Sequence, residues 1–578
     1  MPKSILNVNF DFVLLTSEPY GKVSFHTKTP TTTQRSYMST PSQAIVETLS
    51  NLGVSVIFSL SGNQIMPIYD ACIDVDIRII HTRNEASAVY MAEAYAQMSG
   101  NIGVALVTAG PGLLNAVSAL YSAARSETPV LLLSGDAALA MDGRGGFQEL
   151  DQMSVTSPIT KKSLRPSDPN LILSSLTDCI HTALNGTPGP VHLALAFDVL
   201  DSEETLNPIL SPILTNDTNP MSEDDLTKVL DALRAAKRPL IITGPQANST
   251  RQPIAFKTLS NELGMPLICL ESARGLSDSF YGDLGTILEI ADLIIHLGKV
   301  ADYSTGVHAK GKIAHGTSII SILTDDQNAP KLNTEAEKTL NLNSIRTGNI
   351  PATMLQIAAA IDKNDFHKPD PEWSQRLTAA ISQRLGWQAG EKRHPASLSA
   401  DLNEAIAKTK NAILIADGGE FCQWVQAECN APRRMINGPS GAIGGGIAYA
   451  IGASIACPAA TIFLVMGDGT AGFYFAEINT AVRAGCNIVA VIGNDYRWNA
   501  EVQIQIDNYG PDRVYGCDLD ASADYAAAAR GFGAYGATVS EKDNFSDALD
   551  TAIEHAGPAI LNVLIDSQAS PKFAPMKL

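Results

Sequence analysis

At 578 residues the chain is too long for a single core, and about three domains of roughly 100 to 200 residues are expected. With 45% hydrophobic and 17% charged residues, 44 Gly and 31 Pro, its composition is that of a folded globular protein and excludes a disordered or fibrous one. A formal net charge of −19 argues against nucleic acid or an anionic membrane as a partner, because both would repel such a surface, yet it leaves room for a local basic pocket.

Residues 1–37 are Thr-rich and lack periodic apolar positions, so they read as an N-terminal extension ahead of Met38-Ser39-Thr40-Pro41. A transit peptide fits less well, since Asp11 and Glu18 are present and Arg35 is the only arginine there. From Pro41, helical segments alternate with short apolar runs at Val54–Leu60, Ile77–His81, Gly103–Thr108 and Val130–Ser134, closing with Val191–Ala196 after the turn cluster Gly186-Thr187-Pro188-Gly189-Pro190. This spacing predicts a parallel sheet covered by helices. A polar stretch, Asp201–Asp225, reads as a linker.

A second α/β unit is expected to carry strands at Pro239–Thr243, Pro266–Leu270, Leu293–Leu297 and Ser318–Leu323. Polar sequence from Asp362 to Pro395 separates it from a third, with strands at Ala412–Ala416, Thr461–Met466, Ile488–Ile492 and Ala559–Ile565. The fold class is therefore α/β, with three successive doubly wound parallel-sheet domains over 38–205, 225–362 and 395–578. All these apolar runs are far shorter than the roughly 20 residues of a membrane helix. Eight scattered Cys without a Cys-x-x-Cys indicate neither a disulfide framework nor a zinc site, so a reducing, cytoplasmic setting is expected.

The most informative stretch is Gly467-Asp468-Gly469-Thr470, directly after one expected strand, with Asn494-Asp495 at the end of the next. Glycines let a backbone approach a diphosphate closely, Asp468 offers a hard oxygen ligand, and a second oxygen from the neighbouring strand end could close a Mg²⁺ site. Both ligands would then lie at strand carboxyl ends, where open α/β sheets bind ligands. Taken alone, the same letters also describe an ordinary turn and a loop start.

Asp468 and Asp495 lie 27 positions apart, and the segment resembles the thiamine diphosphate (ThDP) motif that opens with Gly-Asp-Gly and closes with Asn-Asn; here Asp495 replaces the second Asn. The resemblance implies cofactor contacts from Gly467, Asp468, Gly469, Thr470 and Asn494, and Mg²⁺ held by Asp468, Asp495 and the backbone carbonyl of Arg497. His81-Thr82-Arg83-Asn84-Glu85, leading into a helix over 86–99, looks like the segment bearing the cofactor-activating glutamate. That chemistry requires a carboxyl group at N1′ of the aminopyrimidine, a role the resemblance gives to Glu85. Without it, Glu85 reads as a helix N-terminal carboxylate stabilised by the macrodipole.

Gly110-Pro111-Gly112 with Asn115, Gly145-Gly146-Phe147-Gln148-Glu149, Thr160-Lys161 and the Gly186 turn then come in the order of acetolactate synthase-like enzymes. The role implied for Gln148 is polar contact on the substrate side of the cofactor, and for Lys161 anion binding. Gly418-Gly419-Glu420-Phe421 resembles a diphosphate-side loop, implicating Gly419, Glu420 and Phe421; Gly441-Ala442-Ile443-Gly444 matches the place of a bulky apolar residue beneath the cofactor, implicating Ala442 and Ile443. Over about Ser39 to Phe573 the chain is thus identified as a member of the ThDP-dependent family of acetolactate synthases, 2-hydroxyacyl-CoA lyases and oxalyl-CoA decarboxylases. The resemblance implies a ThDP-binding fold of pyrimidine-binding, central and diphosphate-binding domains, a homodimer or homotetramer, and a carbon–carbon lyase or carboligase acting on a small 2-oxo acid or 2-hydroxyacyl thioester.

Met66 to Ala71 is similar to acetolactate synthase, but Ser61 and Asn63 stand where that enzyme usually has Pro and Gly, and Ile504 about where it carries an acceptor-contacting Trp. Gly493-Asn494-Asp495 with Trp498, and Ala273-Arg274-Gly275-Leu276, look more like the acyl-CoA lyases; Asp151-Gln152-Met153 is similar to the oxalyl-CoA decarboxylases. Gly298 to Tyr303 replaces the run that contacts FAD in synthases, so FAD is not expected, whereas Arg274 offers a contact for CoA or ADP. A non-catalytic binding or regulatory protein of the same fold is the remaining alternative, opposed by the retained Glu85, Asp468 and Asp495.

Overall fold

Central strands in this chain are short, largely apolar and buried on both faces, the pattern of parallel sheets whose crossover helices cover both sides. The computed structural model describes residues 39–210, 218–307, 312–324, 341–363, 369–383 and 393–571; the extension expected over 1–37 and Phe573 lie outside them.

The first sheet holds β1 (Val56–Ser59), β2 (Arg78–His81), β3 (Gly103–Val107), β4 (Val130–Asp136), β5 (Lys162–Leu164) and β6 (Val191–Ala196). The second holds β7 (Pro239–Thr243), β8 (Ile268–Cys269), β9 (Leu293–Leu297), β10 (Ser318–Leu323) and β11 (Asn341–Arg346). The third holds β12 (Ala412–Ala416), β13 (Arg433–Ile436), β14 (Thr461–Gly467), β15 (Ile488–Asn494), β16 (Tyr535–Val539) and β17 (Ala559–Leu564). Every pairing between these strands is parallel.

The spatial orders are β2-β1-β3-β4-β6-β5, β11-β10-β9-β7-β8 and β13-β12-β14-β15-β17-β16. The first and third sheets share one topology, and in each the chain reverses direction beside its first strand. Such a switch point opens a crevice at the strand carboxyl ends, between β1 and β3 in one sheet and between β12 and β14 in the other. Register aligns the third sheet's loops: Gly467 pairs with Gly493, so Asp468 emerges beside Asn494-Asp495.

One core joins the first and third sheets. The helix Glu85–Ser99 packs against the helix Gly446–Ala456, sharing Val89, Met91, Ile447 and Ala450 in a single apolar cluster. Gly452 permits the approach, since a Cβ there would lie 2.2 Å from the Met91 carbonyl oxygen.

Two polar stretches carry more structure than their composition indicates. The expected linker over Asp201–Asp225 already contains the start of the helix Glu223–Ala235, capped by Ser222, whose hydroxyl accepts from Asp225 N. The separator before Pro395 contains the helix Pro371–Ile381, which buries Trp373 and Leu377 against the second sheet; Trp373 Nε1 donates to the Pro239 carbonyl at 2.8 Å. Among the described residues, no helix is long and apolar enough to cross a membrane.

Candidate active site

The switch point of the third sheet is a cleft walled by three loops. After β12, Asp417 leads into Gly418-Gly419 and the helix Glu420–Glu428; Gly419 takes φ +103°, a conformation that L side chains rarely adopt. After β14 come Gly467 and the one-turn helix Asp468–Ala471, and after β15 come Asp495 and Arg497. Gly419, Glu420, Phe421, Ile443, Gly467, Asp468, Gly469, Thr470, Asp495 and Arg497 all line this cleft. Sequence reasoning passed over Asp417, which is 1% exposed and ties the loop after β12 to the glycine-rich segment that carries Ile443. Its carboxylate accepts from the backbone N–H of Gly418 at 2.7 Å, Gly444 at 3.0 Å and Gly446 at 2.8 Å. The usable signal was its place, between a buried strand and a Gly-Gly pair.

Glycine is required by contact at this site. A Cβ on Gly418 would lie 2.4 Å from Ile443 Cγ2, one on Gly469 2.6 Å from the Trp498 ring, and one on Gly493 2.4 Å from the Phe421 ring. Ile443 is half-buried on the cleft wall, presenting an apolar surface above the polar floor.

Burial, together with the charge of Asp495, pushes the Asp468 carboxyl up to about 7. Burial raises Asp495 too, against the lowering effect of the Ser567 hydroxyl, which donates to Oδ2 at 2.9 Å. Two neighbouring carboxylates, one buried and one half-buried, offer oxygens to a hard divalent cation. Among the described residues no three acidic, His or Cys side chains gather to complete a metal shell. Two carboxylates plus main-chain and phosphate oxygens are the set on which Mg²⁺ is ordinarily held, so the residues present fit a Mg²⁺–diphosphate pair.

Asn494 and Ala442 lie outside the cleft lining. Asn494 is buried, donates to Asn562 Oδ1 at 3.0 Å and accepts from Tyr496 N at 3.1 Å, so it shapes the turn that aims Asp495. The Ala442 carbonyl accepts from Asn437 Nδ2 at 3.2 Å. Arg274 reaches the cleft from the second sheet's loop, where it pairs with Glu420 at 3.6 Å. Lys161 is a correction to the anion-binding expectation: its ammonium donates to the carbonyls of Thr182 and Asn185 at the end of the helix Ile172–Leu184.

Glu85 and Gln148 do not line this cleft; they lie at the switch point of the first sheet. Glu85 opens the helix Glu85–Ser99, is 8% exposed, and accepts from Asn115 Nδ2 at 3.0 Å through Oε2. Its other oxygen, Oε1, would be 3.6 Å from a Cβ on Gly112. Gln148 accepts from Gln64 Nε2 at 2.9 Å. Met66, Leu114, Tyr121, Met141 and Phe147, on the elements carrying this second group, are all large apolar side chains left exposed.

Comparison with known proteins matches two family models, the thiamine pyrophosphate enzyme N-terminal TPP binding domain over residues 39–155 and its C-terminal TPP binding domain over 417–563. The chain is 29% identical over 581 residues to 2-hydroxyacyl-CoA lyase 2 of Danio rerio, covering 90% of this chain and 91% of that protein. It is 28% identical to 2-hydroxyacyl-CoA lyase 2 of Homo sapiens, covering 89% and 88% respectively. It is also 26% identical to acetolactate synthase large subunit IlvG of Mycobacterium tuberculosis, covering 91% and 96%.

Proposed function

Because the chain belongs to the thiamine diphosphate-dependent enzymes of the acetolactate synthase-like family, and is thus a carbon–carbon lyase or carboligase, we propose that it cleaves a 2-hydroxyacyl thioester to an aldehyde and a formyl thioester. The observation that carries this reading is near full-length similarity to the 2-hydroxyacyl-CoA lyases 2. It is supported by Ile504, 57% exposed on the helix Asn499–Tyr509 after the metal loop, where a synthase carries a Trp. The bond between C1 and C2 of the substrate breaks with its electron pair left on C1; the C2 hydroxyl loses its proton as it becomes the aldehyde carbonyl, and a proton added to C1 completes the formyl group, which stays on sulfur.

Thiamine diphosphate, when bound, supplies a thiazolium ring that accepts the electron pair of the breaking bond. In the proposed assignment, Asp468, Asp495 and the Arg497 carbonyl hold Mg²⁺, while Gly419, Glu420 and Thr470 surround the diphosphate. Ile443, with Gly467, Gly469 and Phe421 beside it on the cleft lining, would exclude water and support the cofactor's rings. Glu85, oriented by Asn115, shares a proton with the aminopyrimidine N1′. Gln148 contacts the substrate's oxygen atoms. The cleft and the Glu85 group occupy different sheets, and exposed apolar side chains flank both, so we assign the complete site to two copies of the chain in a homodimer or a tetramer of such pairs. Eight free thiols, seven of them buried, support a reducing compartment such as the cytoplasm.

Acetolactate formation from pyruvate is the second reading, favoured by the IlvG similarity and by Met66 to Ala71. Mass-spectrometric product analysis with ThDP and Mg²⁺ separates the two. A 2-hydroxyacyl-CoA should give aldehyde and formyl-CoA; acetolactate from pyruvate, with the thioester untouched, would select the synthase.

A further inference from the structure

Three polar side chains at the carboxyl edge of the first sheet form a directed relay. The Thr108 hydroxyl, just after β3, donates to Gln64 Oε1 at 2.7 Å, and Gln64 Nε2 donates to Gln148 Oε1 at 2.9 Å. Gln64 is 4% exposed, on the turn Asn63–Ile65 that succeeds β1. Gln148 sits at φ +60°, a left-handed backbone that costs a non-glycine residue energy.

Glycines let these groups meet. A Cβ on Gly62 would lie 2.3 Å from Thr108 Cβ, one on Gly135 2.7 Å from Gln64 Cβ, and one on Gly110 2.7 Å from the Gln148 carbonyl oxygen. A Cβ on Gly112 would lie 2.7 Å from Thr108 Cγ2 and 3.6 Å from Glu85 Oε1, so the far end of the relay rests beside Glu85.

A carboxamide offers one acceptor oxygen and one donor nitrogen. Thr108 occupies the oxygen of Gln64, which turns the Gln64 nitrogen to Gln148 and thereby occupies the Gln148 oxygen. We infer that Gln64 is a positioning residue that fixes Gln148 with its amide nitrogen turned outward, as a donor for the substrate oxygen that gains negative charge during cleavage. The inference rests on the thioester-lyase reading and deepens it by giving the substrate contact a polarity. A donor held in place before the reaction stabilises developing charge without reorganising, and such donors carry a large share of rate enhancement.

The test compares Gln64→Glu with Gln64→Leu, Gln148→Leu and the double variant Gln64→Glu/Gln148→Leu, in the full chain with ThDP, Mg²⁺ and a 2-hydroxyacyl-CoA. A carboxylate at position 64 still accepts from Thr108, but it draws the Gln148 nitrogen inward and turns its oxygen to the substrate. Gln64→Glu should lower kcat roughly tenfold to a hundredfold, more than Gln64→Leu, with KM and the rise in Tm on adding ThDP and Mg²⁺ preserved. In the Gln148→Leu background it should cost nothing further. Equal losses for Glu and Leu, or a Gln64→Glu loss that persists without Gln148, would overturn the inference. An unchanged kcat in Gln148→Leu would remove the Gln148 contact itself, and no thioester turnover by the unaltered protein would overturn the lyase reading; either takes the inference with it, whereas a slow Gln148→Leu beside a normal Gln64→Glu defeats the positioning role alone. Should Gln64→Glu fail to fold, Thr108→Val removes the hydroxyl that orients Gln64, and an undiminished kcat there would equally overturn the inference.

Discussion

Glu93 lies inside the interface between the helices Glu85–Ser99 and Gly446–Ala456, 1% exposed, with the Tyr449 hydroxyl donating to its Oε2 at 3.1 Å. Burial dominates over that hydrogen bond and lifts its carboxyl from 4.5 to about 7. The folded chain therefore retains a proton that the unfolded chain releases in this window, and stability declines as pH rises from 4.5 to about 7. Glu93→Gln keeps an acceptor for Tyr449 and should remove this decline, raising the unfolding free energy at pH 8 by roughly 3 kcal/mol. Denaturant titration of both proteins at pH 4.5 and pH 8 measures it, and equal differences at the two values would refute it. No pattern around Glu93 in the sequence separates it from a surface glutamate; only the packing of two helices far apart in the chain makes it costly. Asp468 was legible for the opposite reason, because it stands between glycines in a local motif directly after a strand. Asn115 stood in a readable motif, but its bond to Glu85 required the fold.

Central strands were readable from sequence, as were the edge strands β2 and β8, whereas the other four edge strands were not. β5, β11, β13 and β16 each border a sheet, and Lys162–Leu164, Asn341–Arg346, Arg433–Ile436 and Tyr535–Val539 mix charged or polar residues with apolar ones. An edge strand has one paired neighbour and a partly wetted face, so it lacks the continuous apolar run of a central strand. The loops at the switch point depend on close contacts of a kind that no local pattern encodes. Gly418→Ala brings a Cβ to 2.4 Å from Ile443 Cγ2 and 3.2 Å from Thr470 Cγ2, so Ile443 must shift from the cleft wall. The expected result is a stability loss of about 1–3 kcal/mol, with ThDP affinity lowered roughly tenfold or more by calorimetric titration. Unchanged affinity would show that Ile443 does not set the cofactor's seat.

At the scale of the whole molecule, two sheets of one topology each contribute a switch point, and the proposed site joins one from each of two copies. Mixing inactive Glu85→Gln chains with inactive Asp468→Ala chains should then restore activity. Each mixed pair holds one intact site, so random reassortment should give about a quarter of the unaltered activity. A mixture that stays inactive, despite exchange of chains seen by native mass spectrometry, would place the whole site within one copy. Glu85, as the group proposed to activate ThDP, would be needed whichever substrate is cleaved or joined. The direct measurement of that role is exchange of the thiazolium C2 proton of bound ThDP into D₂O, read by quenched-flow NMR with Mg²⁺ and no substrate. Fast exchange in the unaltered protein, slowed roughly 100-fold or more in Glu85→Gln with ThDP still bound, is the predicted result. Equal exchange rates in the two proteins would contradict it.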